Sequence, residues 1–154
     1  MNYFLEVESP IGPLLLTCND EGLTSLHMGG GNPPTGATRG HAILDKARRQ
    51  LDEYFAGKRR DFDLPLAAEG TPFQRKVWKA LCTIPFAATA SYGEVARKVG
   101  QPQASRAVGG ANNRNPIGII VPCHRVIGAD GSLTGYGGGI KRKQWLLEHE
   151  RGAS

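Results

Sequence analysis

Two helix-start signatures, Thr71-Pro72-Phe73-Gln74 and Ser91-Tyr92-Gly93-Glu94, constrain the fold of this chain more than any other feature. In each, a hydroxyl can accept from the backbone amide three residues on, and the Gln or Glu there can reach back to the cap amide. Pro72 supplies a pre-set φ at the first helical position. The stripe Phe73, Val77, Leu81 and Ile84 follows the first signature at helical spacing and Pro85 stops it. Val95, Ala96 and Val99 follow the second, stopped by Gly100-Gln101-Pro102, and a further helix is predicted over about 103–111. Helix, tight glycine turn, helix is the helix-turn-helix pattern. A last helix is predicted over about 141–150, with Trp145 and Leu146 apolar.

The first sixty or so residues read differently. Tyr3 to Val7, Leu14 to Thr17 and Leu23 to His27 are short strands separated by Ser9-Pro10-Ile11-Gly12-Pro13 and Asn19-Asp20-Glu21-Gly22, a small antiparallel meander. Gly29 to Gly40 holds five glycines and two prolines without apolar periodicity, so a mobile loop is expected. A helix with Ile43, Ala47, Leu51 and Phe55 on one face follows, and 61–70 reads as a linker. The fold class expected is α+β: a small N-terminal β-meander plus helix over 1–66, then a mostly helical domain over 67–154.

Composition narrows the function. With 40% hydrophobic residues in 154, the chain can bury a real core. A formal charge of +5 favours an anionic partner without naming it. No apolar run approaches the ~20 residues of a membrane span, and no signal-peptide pattern opens the chain. Cys18, Cys82 and Cys123 are an odd number without close pairing, which fits free thiols and a cytoplasmic setting. Cys18, His27 and Cys82 lack the spacing of a zinc site, so neither metal nor cofactor is expected; Cys18 and Cys82 read as small buried hydrophobes, Trp78 and Trp145 as core, and His41 and His149 as surface residues.

The chemistry concentrates at Pro122-Cys123-His124-Arg125. It follows the aliphatic run Ile117 to Val121, expected as a buried strand, and precedes the glycine-rich stretch 128–139. A thiol with an imidazole beside it, facing a pocket, is the pattern of an activated nucleophile. Neighbouring residues of an extended strand point to opposite faces, so direct Cys123–His124 contact requires a bent backbone, or else a bridging water. The helix over 103–111 has small side chains except Arg106, too few long polar groups to read bases in a major groove but suited to a narrow minor groove.

Taken together, Thr71-Pro72-Phe73-Gln74, Val77-Trp78, Ile84-Pro85, Ser91-Tyr92-Gly93-Glu94, Arg106 to Ala111, Asn115-Pro116, Pro122 to Val126 and Gly135-Tyr136 resemble the O6-alkylguanine-DNA alkyltransferases. The N-terminal strands and helix look like that family's ribonuclease-H-like domain. The resemblance implies irreversible, stoichiometric transfer of a methyl or other alkyl group from O6-alkylguanine in double-stranded DNA to Cys123, with O4-alkylthymine as a further substrate left open. It gives His124 the role of base, polarised by Glu150, with a water between Cys123 and His124. It makes Tyr92 the donor to the departing guanine and Asn115 a scaffold between recognition helix and active-site segment. Arg106 would replace the flipped nucleotide, and Ala107, Gly110, Ser91, Tyr92 and Arg114 would meet DNA. Tyr136, Val126, Gly137 and Arg125 would form the substrate pocket. A monomer is implied, with cooperativity along DNA left open. The chain departs from many relatives in having Phe86-Ala87 for Tyr-Gly, and from some in having Gly137 for Ser. Two other readings are a papain-type cysteine hydrolase, whose Cys and His lie far apart in sequence, and a non-catalytic, damage-sensing helix-turn-helix protein.

Overall fold

The computed structural model describes residues 1–153 and divides into two compact units, Met1–Glu69 with Ala153 and Gly70–Gly152. It is mixed α+β. In the first unit, strands β1 (Tyr3–Val7), β2 (Leu14–Cys18) and β3 (Leu23–Met28) form the meander, with Val7 opposite Leu14 and Leu16 opposite Leu26. Every residue of β2 is buried, as a central strand covered on both faces requires. Helix α1 (Ala42–Phe55) packs against β1 and β2. The His41 ring caps it, Nδ1 accepting from the Ile43 amide at 3.0 Å.

Three expectations for this unit are corrected. The apolar stripe of α1 is Leu44, Ala47, Leu51 and Tyr54, while Ile43 and Phe55 are only half-buried. Both stripes share Ala47 and Leu51, so helical spacing alone could not set the rotation. The 29–40 stretch is not wholly loop: Thr38–Arg39 forms β4, parallel to β1, giving sheet order β3-β2-β1-β4. The supposed linker is bound to the sheet edge, with the Leu23 amide donating to Pro65 O at 2.8 Å and the Ala67 amide to Leu23 O at 2.7 Å. The Gln50 side chain makes a reciprocal pair with the Asp63 backbone at 2.9 and 3.0 Å. Gly22 is required there, since a Cβ would lie 2.7 Å from the Pro65 carbonyl oxygen.

The second unit is built on α2 (Pro72–Leu81), α3 (Tyr92–Lys98), α4 (Ser105–Asn113) and α5 (Ile140–Ala153). Both capping boxes close as their sequences require. Helices α2, α3 and α4 pack on one another, and the Trp78 indole N–H donates to Ala111 O at 2.8 Å, tying α2 to α4. Helix α4 begins two residues later than expected, because 101–104 forms a turn closed by the Ala104 amide on Gln101 O. Cys82 follows α2 and is exposed, not buried, and Trp145 is half-exposed and stacks on His149 at 4.9 Å.

The aliphatic run before Cys123 is buried but is no strand. The Ile120 amide bonds Gly118 O at 2.8 Å around Ile119, whose φ is +70°, the rare γ-turn that a β-branched residue adopts only under constraint. A second tight turn at Pro122 carries the Cys123 amide onto Val121 O at 2.8 Å, and Cys123–Arg125 follows as one turn of 3₁₀-helix. Strand β6 (Val126–Ile127) then pairs in parallel with β5 (Ala90–Ser91), setting Ala90 opposite Val126. That short ladder brings the N-terminus of α3, where Tyr92 sits, beside the exit of the Cys123 turn. No helix among the described residues is long and apolar enough to cross a membrane.

Candidate active site

Cys123 is 5% exposed and sits on the 3₁₀ turn whose buried carbonyls are met by asparagine side chains. Asn115 Nδ2 donates to Val121 O at 2.8 Å, and its Oδ1 accepts from the Ile117 amide at 3.1 Å. Asn112 Nδ2, from α4, donates to Cys123 O at 3.3 Å. These bonds supply partners for backbone groups that a strand ladder would otherwise have satisfied, and hold the irregular segment in one shape.

Behind the turn lies a buried polar network. His124 Nε2 meets Glu150 Oε2 at 2.7 Å, with both side chains fully buried. A carboxylate accepts, so Nε2 carries the proton and Nδ1 carries the lone pair. Nδ1 has no hydrogen-bond partner within the protein among the described residues. Burial holds the imidazole below its ordinary titration range, against the opposing pull of Glu150. Arg125 grips the same carboxylate, Nε to Oε1 at 2.9 Å and Nη2 to Oε2 at 3.0 Å, and its Nη1 donates to Ile84 O at 2.8 Å. The Ala87 amide adds a bond to Glu150 Oε1 at 3.2 Å, while the Phe86 ring centroid lies 5.7 Å from the guanidinium. Glu150 thus accepts from His124, from two Arg125 nitrogens and from the Ala87 amide, and its place on the buried face of α5 puts it, not the exposed Glu148, in the interior.

Arg125, expected in the substrate pocket, is instead seen committed to this network: its fork matches the Glu150 carboxylate and its third bond goes to Ile84 O. Phe86 and Ala87 lie at this ion pair too. Ala87 has φ +66°, a conformation that costs a residue with a Cβ about 1 kcal/mol or more and that glycine adopts freely.

Lys143, which the sequence reading missed, is fully buried. Its Nζ donates to Val126 O at 2.6 Å and Thr134 O at 3.2 Å, and lies 5.9 Å from the centre of the Tyr136 ring. Helical spacing was the available signal, since 143, 146, 147 and 150 share the buried face of α5. Burial drives the ammonium's pKa down. Burial likewise pushes the Cys123 thiol up, opposed by hydrogen bonds from Asn115 and Tyr136 and by the Lys143 charge. With His124 neutral, the interior holds two cations, Arg125 and Lys143, against the single carboxylate of Glu150. One positive charge is left over, which favours a thiolate at Cys123.

Tyr92 opens α3, its hydroxyl 2.6 Å from Thr134 Oγ1, a partner with no sequence signal. Gly109 of α4 faces the Tyr92 ring, where a Cβ would lie 3.8 Å away. Val126 is buried and contributes its carbonyl, already bonded once by Lys143. Gly137 is exposed, 3.4 Å from Asn113 O at its Cβ position. Arg106, Ala107 and Arg114 are exposed on α4 or its end, and Gly110 is half-buried. The Ser91 hydroxyl is occupied, accepting from the Glu94 amide at 3.1 Å.

Residues 3–68 match the 6-O-methylguanine DNA methyltransferase ribonuclease-like domain, and residues 72–152 match that family's DNA binding domain. A methylated-DNA-protein-cysteine methyltransferase of Methanosarcina barkeri is 52% identical over 152 residues, covering 96% of each chain. The protein of that name in Mycobacterium tuberculosis is 51% identical over 160 residues, covering 98% of this chain and 93% of its own. The crystal structure of the Mycobacterium tuberculosis O6-methylguanine methyltransferase superposes with a TM-score of 0.92 at 52% identity, over all of this chain and 95% of that one. A structure of that organism's enzyme in complex with DNA superposes equally well, over 99% of this chain and 94% of that one. With the buried cysteine, the helix-turn-helix and both family domains in one chain, this protein belongs to the 6-O-methylguanine DNA methyltransferases.

Proposed function

We propose that Cys123 is the residue that takes the alkyl group as this protein repairs O6-alkylguanine in DNA, once for each molecule. The observation that carries the assignment is a buried thiol followed in the chain by a buried His124 that is paired with Glu150 through Nε2, leaving its lone pair on Nδ1. Attack at a saturated carbon needs a thiolate, and burial disfavours one in the free protein. A base and a neighbouring positive charge are therefore both required. His124 Nδ1 takes the thiol proton through a bridging water, Glu150 stabilises the imidazolium that results, and Lys143 balances the thiolate.

As the sulfur–carbon bond forms, the bond from that carbon to O6 breaks and its electron pair remains with guanine. Tyr92 donates a proton or hydrogen bond to the leaving base, which lowers the cost of that charge. The nucleotide must leave the duplex to reach Cys123, an extrusion costing a few kcal/mol, and Arg106 on α4 fills the space it leaves. Ala107 and Gly110 let α4 approach the minor groove, with Arg114 and Ser91 beside it. Tyr136, Gly137 and the Val126 carbonyl line the space for the base. Asn115 keeps the Cys123 turn in place. The S-alkylcysteine has no good leaving group, so the thiol is not regenerated. In this reading 1–66 is the ribonuclease-H-like domain and 67–154 carries DNA binding and transfer. A cytoplasmic, reducing setting suits a protein whose three cysteines are free.

The test is intact-mass measurement after incubation with a duplex carrying one O6-methylguanine. One methyl per chain, mapped to Cys123 and absent in Cys123→Ala, is expected. Turnover without mass gain would point to a hydrolase, and DNA binding without mass gain to a damage sensor.

A further inference from the structure

The hydroxyl pair Tyr92–Thr134 has no place in the chemistry described so far. The two oxygens lie 2.6 Å apart across 42 positions of sequence, and either can be the donor. The loop that carries Thr134 is fastened from behind, because the buried Lys143 ammonium donates to the Thr134 carbonyl and to Val126 O. Tyr92 is fixed as the first residue of α3 by the Ser91 cap. Both partners are therefore held by the framework: Tyr92 directly follows β5, and the chain leaving its ladder partner β6 leads into the loop of Thr134.

A phenol has one proton to give and lone pairs to receive. If the Tyr92 proton goes to guanine, only acceptor positions remain on its oxygen, and Thr134 must then be the donor of the pair. We propose that Thr134 is a positioning residue for the leaving-group step: its hydroxyl donates to Tyr92 Oη, aiming the Tyr92 proton at the departing base and stabilising the phenolate left when that proton moves. The proton balance closes. Guanine leaves with the electron pair of the broken carbon–oxygen bond and gains the Tyr92 proton, and the phenolate recovers one from solvent. Thr134 keeps its own proton throughout. The proposal rests on the reading of Tyr92 as donor and adds the group that orients it.

The experiment compares single-turnover methyl transfer from an O6-methylguanine duplex with carbamidomethylation of Cys123 by iodoacetamide, whose iodide leaves without a proton; peptide mapping separates Cys123 from the exposed Cys82. Thr134→Val and Thr134→Ala are expected to slow methyl transfer about tenfold, the scale of one hydrogen bond to a group developing charge. Thr134→Ser recovers the rate, and iodoacetamide labelling of Cys123 is unchanged in all three. Tyr92→Phe is slowed at least as much, and adding Thr134→Val to it causes no further loss. Thr134→Val at the wild-type rate with Tyr92→Phe slow overturns the proposal and leaves the Tyr92 reading standing. Tyr92→Phe at the wild-type rate removes that reading itself. Equal slowing toward iodoacetamide, or further slowing in the double variant, reduces Thr134 to a structural residue and overturns the proposal.

Discussion

The two units bury different chemistry. In Met1–Glu69 the interior is Leu14, Leu16, Leu23, Leu44 and Leu51 with Tyr54, and its buried polar side chains are Thr17 and Gln50, both neutral and hydrogen-bonded. In Gly70–Gly152 the interior contains Asn112, His124, Arg125, Lys143 and Glu150 beside its apolar residues. An apolar core needs only shape and volume, whereas buried ions persist only when each is ion-paired or fully hydrogen-bonded. The first unit is organised for stability, and the second accepts a less stable interior in return for charge placed at a thiol. The cysteines make the same contrast. Burial and Asp20 push the Cys18 thiol up to about 11, while the rise at Cys123 is opposed by Asn115, Tyr136 and Lys143.

The strongest break of this contrast is Glu150→Ala. It strands Arg125 and releases His124, so a loss of about 3–5 kcal/mol in urea unfolding and at least about a hundredfold in single-turnover transfer are expected. Near-normal transfer would mean that His124 does not depend on Glu150. Leu16→Ala in the first unit should cost about 2–5 kcal/mol by cavity formation. Its folded fraction should transfer methyl at the normal rate, and a rate defect would show that the division of labour is too sharp.

The folded-state pKa of His124 lies below its ordinary 6.5, so between those two values the unfolded chain binds more protons than the native one. The contribution is fully present above pH 6.5 and is lost as pH falls through the folded value, at up to about 1.4 kcal/mol per pH unit. Urea midpoints measured from pH 7.5 to 5 should show a decline in the wild type that His124→Gln lessens; parallel curves would remove His124 as its source. The smallest effect is Ala87→Gly. It relieves the positive φ at the Glu150 ion pair, so a gain of up to about 1 kcal/mol in thermal unfolding is expected, offset in part by glycine's greater freedom when unfolded. A destabilised variant would mean that the Ala87 methyl makes packing contacts worth more than the strain.

Local signals and tertiary outcomes separate cleanly in this chain. Both capping boxes, the helices they start, the meander and the Cys123–His124 pair were legible, because each depends on residues within a few positions of one another. The role of Glu150 was implied by family resemblance, while Lys143 needed only its helical spacing to be noticed. The rotation of α1 was not legible, since Ile43 and Leu44 fit the same periodicity and only the sheet beneath chooses between them. Nor was β4, whose two residues form a strand only because β1 offers an open edge.

By itself the sequence determined the two kinds of unit and the helix-turn-helix, and it marked Cys123 as the candidate nucleophile, all through short-range geometry and residue type. Tertiary structure alone decided that Ile117 to Val121 coils instead of extending, that Arg125 turns to Glu150, and that Thr134 meets Tyr92. Those outcomes depend on which buried carbonyl or carboxylate lies within reach of which donor, and reach is a property of the packed chain.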